Sequence, residues 1–189
     1  MMTEQQYFEK GISLESYMAQ MESNQHKSYS IYEKFELPKD PEFLALLKDK
    51  KPHVLVITED WSGDAMMSNA ILRKIADAAD LDVHCIYRDD NLELMDRYLT
   101  NGERLIPKYI VLSENGDVLG EWGPRAPKVQ EFVDKKKSVL PEKEDPQYKL
   151  HVKTVTGEIL DGFVYNDDFW HVVYEELRQV FQTALTSRE

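Results

Sequence analysis

The chain has 189 residues, of which 42% are apolar and 31% charged, a composition typical of a globular protein. Acidic residues outnumber basic ones 35 to 23, which gives a formal net charge of −12. Because such a charge repels phosphate backbones and anionic lipids, we expect neither a nucleic-acid partner nor a membrane partner. No apolar run is long enough to cross a bilayer.

The cysteine and histidine content argues against a metal site. Cys85 is the only cysteine, which excludes an internal disulfide and any multi-cysteine metal site. No pair among the five histidines has metal-ligand spacing, and no glycine-rich phosphate loop is present. The first six residues lack the basic and apolar regions of a secretory signal, so the sequence predicts a cytoplasmic protein.

The N-terminal part is predicted to be helical. Residues from about Tyr7 to Met21 include apolar residues at mixed three-, four- and five-residue spacings, which indicate a loose amphipathic helix: Phe8, Ile12, Tyr17 and Met21. We expect its apolar face to dock on the central domain rather than on a partner. Three aromatic residues follow it, Tyr29, Tyr32 and Phe35, and their expected role is packing. Residues 1–36 are therefore interpreted as a helical extension.

Residues 37–140 show the alternation of an α/β domain. In chain order the pattern predicts a helix at Pro41–Lys50, a strand at His53–Thr58, a helix at Ala65–Ala79, a strand at Leu81–Tyr87, a helix at Asn91–Leu99, strands at Lys108–Leu112 and Val118–Trp122, and a helix at Pro127–Val139. Asn115–Gly116 is typical of the tight turn of a hairpin and joins the last two strands.

Residues 141–189 are predicted to be a linker followed by two helices. The linker is charged and flanked by Pro141 and Pro146, and Asn166 and Asp167 form a candidate cap for the last helix. The aromatic residues of that helix are expected in the core, with an exposed, partner-binding stripe as the alternative: Phe169, Trp170, Tyr174 and Phe181.

The most informative segment joins the first strand of the central domain to the helix that follows. The turn at its centre reads Trp61-Ser62-Gly63-Asp64-Ala65. Ligands of α/β sheets bind at the carboxyl ends of strands, and a helix N-terminus favours negative charge there. The same environment lowers the pKa of a cysteine in the first helical turn.

This segment resembles the thioredoxin active site, which reads Trp-Cys-Gly-Pro-Cys after a buried strand. Ile106–Pro107, directly before the next strand, is similar to the cis-proline site of that family, and Trp122–Gly123 fits a family glycine. The resemblance covers about Pro41 to Leu140. It implies a thioredoxin-like fold with helical extensions at both ends, and a relationship to thiol-disulfide oxidoreductases that maintain cell redox homeostasis.

More narrowly, the chain resembles a bacterial branch whose site reads Trp-Cys-Gly-Asp-Ala, with Ser62 in place of the cysteine. Ala65 stands where a resolving cysteine would be, and Val56 stands where thioredoxins bury an acidic residue. Since a thiolate is the nucleophile of disulfide exchange, the site is expected to be redox-inactive as written. Ser62 is either a natural residue or an engineered replacement in a single-cysteine reductase, and the sequence leaves both open.

The resemblance implies that a substrate-like groove persists, formed by Trp61, Ser62, Gly63, Asp64, Ile106 and Pro107. Its partner would be a protein or a small thiol, without any cofactor or metal, and acidic neighbours would favour basic partners. Three other readings stay open: an adaptor that binds through its C-terminal helices, a serine nucleophile at Ser62, and a plain helix cap at Ser62. Cys85 is expected to be a buried strand residue, with a reactive thiol as the alternative.

Overall fold

The structure, a computed structural model, describes residues 1–186; residues 187–189, the end of the predicted C-terminal extension, lie outside the described part. The helices are α1 Glu4–Lys10, α2 Leu14–Ala19, α3 Gln25–Lys34, α4 Pro41–Lys50, α5 Gly63–Ala79, α6 Leu92–Met95, α7 Pro127–Lys137, α8 Tyr148–Tyr165 and α9 Asp167–Thr186. The strands are β1 Ile12–Ser13, β2 His53–Thr58, β3 Asp82–Tyr87, β4 Lys108–Leu112 and β5 Val118–Trp122.

The five strands form one mixed sheet in the order β1-β3-β2-β4-β5. Strands β2 and β3 are parallel and α5 connects them, whereas β4 is antiparallel to both β2 and β5. Strand β2 lies at the centre of the sheet, and a buried central position is what its β-branched apolar run predicts. The predicted α/β fold, a helix-flanked sheet with extra helices at both ends, is confirmed.

Alternate residues of β2 pack into two different hydrophobic clusters, because successive side chains of a strand point to opposite faces. Val54 and Val56 belong to the larger cluster, which includes residues of α2 to α5 and α7 to α9. Leu55 and Ile57 belong to the smaller cluster, which α1 and α6 complete. Helices therefore cover both faces of the sheet.

The N-terminal extension differs from the single helix that the sequence predicts. Gly11 ends α1, and the next two residues pair with β3 as the edge strand β1 before α2 begins at Leu14. Position 11 has no room for a side chain, because a Cβ there would lie 2.9 Å from the carbonyl oxygen of Cys85. The helix α3, which carries Tyr29 and Tyr32, was not predicted.

The predicted helix at Asn91–Leu99 is also shorter in the structure. A 3₁₀ turn at Arg88–Asp90 precedes α6, and α6 ends at Met95. The remaining predicted strands and helices of the central domain lie within two residues of their expected bounds.

The two C-terminal helices complete the main core. The aromatic residues of α9 are buried in the larger cluster, as the core interpretation predicts, and do not form an exposed stripe: Phe169, Trp170, Tyr174 and Phe181. Helix α9 also packs on β5, where a Cβ at Gly120 would lie 3.4 Å from the Cβ of Ala184. Among residues 1–186, no helix combines the length and the apolar character that crossing a bilayer requires.

Candidate functional site

The candidate site begins where β2 ends, at the turn that leads into α5. Ser62 is the N-cap of this helix: its Oγ accepts a hydrogen bond from the backbone N–H of Ala65 at 3.1 Å. The short serine side chain suits this position, because it satisfies an N–H group that the first helical turn leaves unpaired. The helix-cap interpretation of Ser62 is confirmed, and the side chain is buried with 7% of its surface exposed.

Ser62 has no histidine partner among the described residues. The histidines of the two neighbouring strands, His53 and His84, stack on the ring of Phe8 with centroids 4.6 and 4.0 Å away. Their Nδ1 atoms bond to Gln5 and to the Phe8 carbonyl oxygen, at 2.9 and 2.7 Å. Nucleophilic serine chemistry needs a base within hydrogen-bond reach, so this arrangement gives it no support.

The Ile106–Pro107 segment lies beside the end of β2. Its peptide bond is cis. Strands β2 and β4 pair with Ile57 opposite Lys108, and continuing this register places Pro107 beside Thr58, directly before the turn that carries Ser62. No hydrogen bond within residues 1–186 uses the backbone N–H or C=O of Ile106, although its side chain is buried. A partner chain lying along this edge would meet unpaired backbone groups.

Trp61 presents the largest exposed apolar surface of the turn. Its side chain is 53% exposed, and the guanidinium carbon of Arg88 lies 4.9 Å from the ring centroid, within cation–π range. Arg88 is held there by Asp89, at 2.9 Å, and by the carbonyl oxygen of Arg104, at 3.0 Å. One contact of the indole is thus fixed within the chain, and the exposed remainder is open to a partner.

Gly63 faces the protein's own α8. A Cβ at this position would lie 2.6 Å from Cδ2 of Leu160 and 3.7 Å from the ring of Phe163. Glycine lets α8 approach the first turn of α5 closely. The part of the predicted groove at Gly63 is therefore occupied by the C-terminal extension.

Asp64 forms a buried ion pair with Arg125. The guanidinium donates two hydrogen bonds to the carboxylate, from Nε at 2.7 Å and from Nη2 at 2.9 Å. Burial raises the pKa of Asp64, and Arg125 opposes that rise. The pair ties the first turn of α5 to the loop after β5, so Asp64 has a structural partner within the chain.

An acidic cleft of about 530 Å³ adjoins the turn. Its lining includes five carboxylates together with Gln20 and Tyr87: Glu22, Glu59, Asp60, Asp89 and Asp90. Burial raises the pKa of Glu59, which also accepts the backbone N–H of Asp89 at 3.0 Å. Asp60 accepts the backbone N–H groups of Glu22 and Ser23, at 2.8 and 3.3 Å. These contacts fix negative charge beside Trp61.

A buried hydrogen-bond network holds the C-terminal end of β2 in place. The hydroxyl of Thr58 bonds to Tyr17 and accepts from Nδ2 of Asn69, both at 3.2 Å, and the Tyr109 hydroxyl donates to Oδ1 of Asn69 at 2.6 Å. The network joins α2, β2, α5 and β4. It holds the start of the site turn at a fixed place in the core.

The core behind the site has neither a carboxylate nor an accessible thiol at its sheet centre. Val56 and Cys85 face each other in the pairing of β2 with β3, with 0% and 2% of their surfaces exposed. Burial raises the pKa of the Cys85 thiol far above its ordinary value. Cys85 behaves as a buried strand residue, as expected. Among the described residues, no cluster of His, Cys, Asp or Glu fits a metal ion.

Sequence reasoning missed the contacts that link the site to distant parts of the chain. Arg125 lies 61 positions from Asp64, and Leu160 lies still farther from Gly63. Local patterns carry no signal for such pairs. The available hint was Arg125 itself, a cation just before the helix predicted at Pro127–Val139.

Comparison with known proteins agrees with this architecture. A family model described as thioredoxin matches residues 11–138, and the chain belongs to this family. A solved protein of unknown function from Pseudomonas aeruginosa is 18% identical, with a TM-score of 0.60 and coverage of 93% of this chain and 99% of that one. An HIV epitope-scaffold is 15% identical, with a TM-score of 0.67 and coverage of 96% and 98%. Both share the fold. No curated protein matches the chain significantly.

Proposed function

We propose that this chain is a thioredoxin-family binding module without dithiol chemistry, which holds an extended segment of a partner polypeptide. The observation that carries the proposal is the N-cap hydrogen bond of Ser62, at the position where the resemblance puts the nucleophilic cysteine. A serine hydroxyl does not take part in thiol-disulfide exchange, whereas the binding surfaces around it need no thiol.

The partner segment would lie between Trp61 and Ile106. The exposed indole offers apolar contact, and the unpaired backbone groups of Ile106 offer hydrogen bonds of the β-augmentation type. Because α8 covers Gly63 and Arg125 engages Asp64, we assign binding to Trp61, Ile106 and Pro107. The acidic cleft favours a segment that carries lysine or arginine. We propose the cytoplasm as its location.

Fluorescence titration tests this proposal, since Trp61 is more exposed than Trp122 and Trp170. The probes are two synthetic peptides of equal length, one alternating lysine with valine and one alternating glutamate with valine. We expect the basic peptide to change the emission and bind, and the acidic peptide to bind at least about tenfold more weakly.

Trp61→Ala should weaken binding of the basic peptide, measured by calorimetry, by about 2 kcal/mol, the scale of an aromatic hot spot. Val139→Ala is the matched control, because it also removes exposed apolar surface, and it should leave binding unchanged. Equal affinity for both peptides, or a Trp61→Ala variant that binds like the wild type, would refute the proposal.

The second candidate is a single-cysteine reductase in which Ser62 replaces the native cysteine. The position of residue 62 at the N-terminus of the 17-residue helix α5 favours it, because such a position lowers the pKa of a thiol. Ser62→Cys should then gain insulin reduction or exchange with a bacillithiol-type thiol, and the wild type should show none. No gain in the folded variant would reject this candidate.

A further inference from the structure

A groove lies between α7 and α8, and none of its lining residues belongs to the Trp61 site. Its volume is about 420 Å³, within the range of small-molecule sites. The lining is mostly apolar surface and is formed by Phe132, Lys135, Lys136, Ser138, Val139 and Glu158.

Two features leave apolar surface uncovered at this groove. Val139 is 72% exposed, a large fraction for a valine, and nothing in residues 1–186 packs over it. The ring of Phe132 packs on Phe169 with centroids 4.9 Å apart, and it is only partly buried. The floor is therefore anchored in the core while one side of the groove stays open to a ligand.

The groove carries positive charge in a strongly acidic protein. Its lining holds two lysines, Lys135 and Lys136, and one acidic residue, Glu158, although the whole chain has a formal net charge of −12. Lys136 is paired with Glu158 at 3.4 Å and lies 5.9 Å from the Phe132 ring centroid. Lys135 is exposed and forms no ion pair within the described residues. A free ammonium group thus stands beside the apolar floor.

We propose that this groove binds the anion of a medium-chain fatty acid. The alkyl chain would lie on Phe132 and Val139, and the carboxylate would pair with the ammonium of Lys135. Charge complementarity selects this occupant. The unpaired ammonium of Lys135 can form an ion pair with an anionic head group, and the apolar lining can bury a hydrocarbon chain. The inference is independent of the proposed function of the Trp61 site.

Titration of the isotope-labelled, full-length protein with sodium decanoate, below its micelle concentration, tests the proposal by NMR. Amide shifts should concentrate at residues 132–139 and 154–158. From octanoate to decanoate, each added methylene should tighten binding about fourfold while it remains inside the groove. Decyltrimethylammonium has a chain of the same length with the opposite charge, and it should bind at least about fivefold more weakly.

Charge variants of α7 distinguish an ion pair between Lys135 and the carboxylate from a general effect of the protein's net charge. Lys135→Glu should weaken decanoate binding by about fivefold or more. Lys128→Glu makes the same charge change at an exposed position in the first turn of the same helix, and it should have little effect. Val139→Ser, also exposed, should reduce the gain per methylene without affecting folding.

Several results would overturn the proposal. These are the absence of shifts at the groove, equal binding of the cationic amphiphile, and equal weakening by Lys128→Glu and Lys135→Glu. Binding to anionic phospholipid vesicles but not to monomeric decanoate would also overturn it, since that outcome identifies a membrane surface as the occupant.

Discussion

At the residue scale, Ser62 combines two roles that a helix N-terminus can support. The position suits a hydroxyl that caps the helix, and it equally suits a thiolate that the helix dipole stabilises. Sulfur is a weak hydrogen-bond acceptor, so a serine caps α5 better than a cysteine would. The chain thereby gains helix stability at a position where the resemblance implies that the family performs chemistry.

Removal of this cap should destabilise the protein. We expect Ser62→Ala to lower the free energy of unfolding by about 1 kcal/mol, because the N–H of Ala65 would lose its partner in a buried setting. Ser62→Thr keeps a hydroxyl at the same place and should retain most of the stability. Urea unfolding followed by circular dichroism measures both, and equal loss in the two variants would contradict the cap as the cause.

Gly123 sits at a second constrained position near the site. Its φ is +124°, and a Cβ there would lie 2.1 Å from the carbonyl oxygen of Pro107. The atom that a Cβ would meet belongs to the backbone and cannot move aside as a side chain could. Gly123→Ala should therefore lower the free energy of unfolding by about 3 kcal/mol or more and displace the Ile106–Pro107 segment.

Gly157 provides the matched control for that substitution. It lies inside α8, where a Cβ would meet nothing within 4 Å. Gly157→Ala should therefore stabilise the protein by about 1 kcal/mol, since alanine is the better helix former. The two alanine variants should shift the urea midpoint in opposite directions, and a shift in the same direction would show that the space at Gly123 is not decisive.

At the element scale, sequence patterns predicted the elements whose causes are local. Strands β2 and β4 are continuous apolar runs, and α4 opens with a cap and a proline, so each lies where it was expected. The single helix predicted from Tyr7 to Met21 was wrong, because Ile12–Ser13 pairs with β3 as a strand and divides it. In the site, the Ser62 cap is local and was predicted, whereas the Asp64–Arg125 pair depends on the assembled fold and was not.

Asp40 joins two elements that are far apart in the sequence. Its carboxylate caps α4 through the N–H of Phe43, at 3.4 Å, and accepts hydrogen bonds from Arg178 and Tyr174 of α9. The Arg178 guanidinium lowers the pKa of Asp40 below its ordinary value of 3.8. A carboxyl with a lowered folded pKa stabilises the fold above its ordinary pKa, and this contribution is lost as pH falls through the folded value.

Asp40→Asn should accordingly lose stability at neutral pH and lose less of it in acid. We expect a deficit of about 1 kcal/mol near neutrality, which shrinks as pH falls below 3.8. Urea unfolding across that pH range measures the deficit. Asp49→Asn, an exposed change in the same helix, is the control and should follow the wild type at every pH. A stability deficit that does not depend on pH would show that the substitution acts through the helix cap at Phe43 rather than through the ion pair with Arg178.

At the scale of the whole molecule, the extensions complete the two hydrophobic clusters of the central sheet. Helix α1 contributes Tyr7 and Phe8 to the smaller cluster, which also contains Ile106, and α8 and α9 contribute to the larger one. The same α8 closes the groove at Gly63. The surface left for a partner near Trp61 is therefore defined by the additions as well as by the central domain.

A chain that ends at Leu140 should fail to fold cooperatively. Helix α9 buries seven large side chains besides Ala184, and burying a large apolar side chain contributes about 1.5–3 kcal/mol, so their loss is at least comparable to a typical net stability of about 5–15 kcal/mol. We expect the shortened chain to lose its near-ultraviolet circular dichroism and its sigmoidal urea transition. Gln179→Ala, an exposed change on α9, should stay within about 0.5 kcal/mol of the wild type. A cooperative transition in the shortened chain would show that residues 1–140 fold alone, and the C-terminal helices would then be free to serve as a separate binding element.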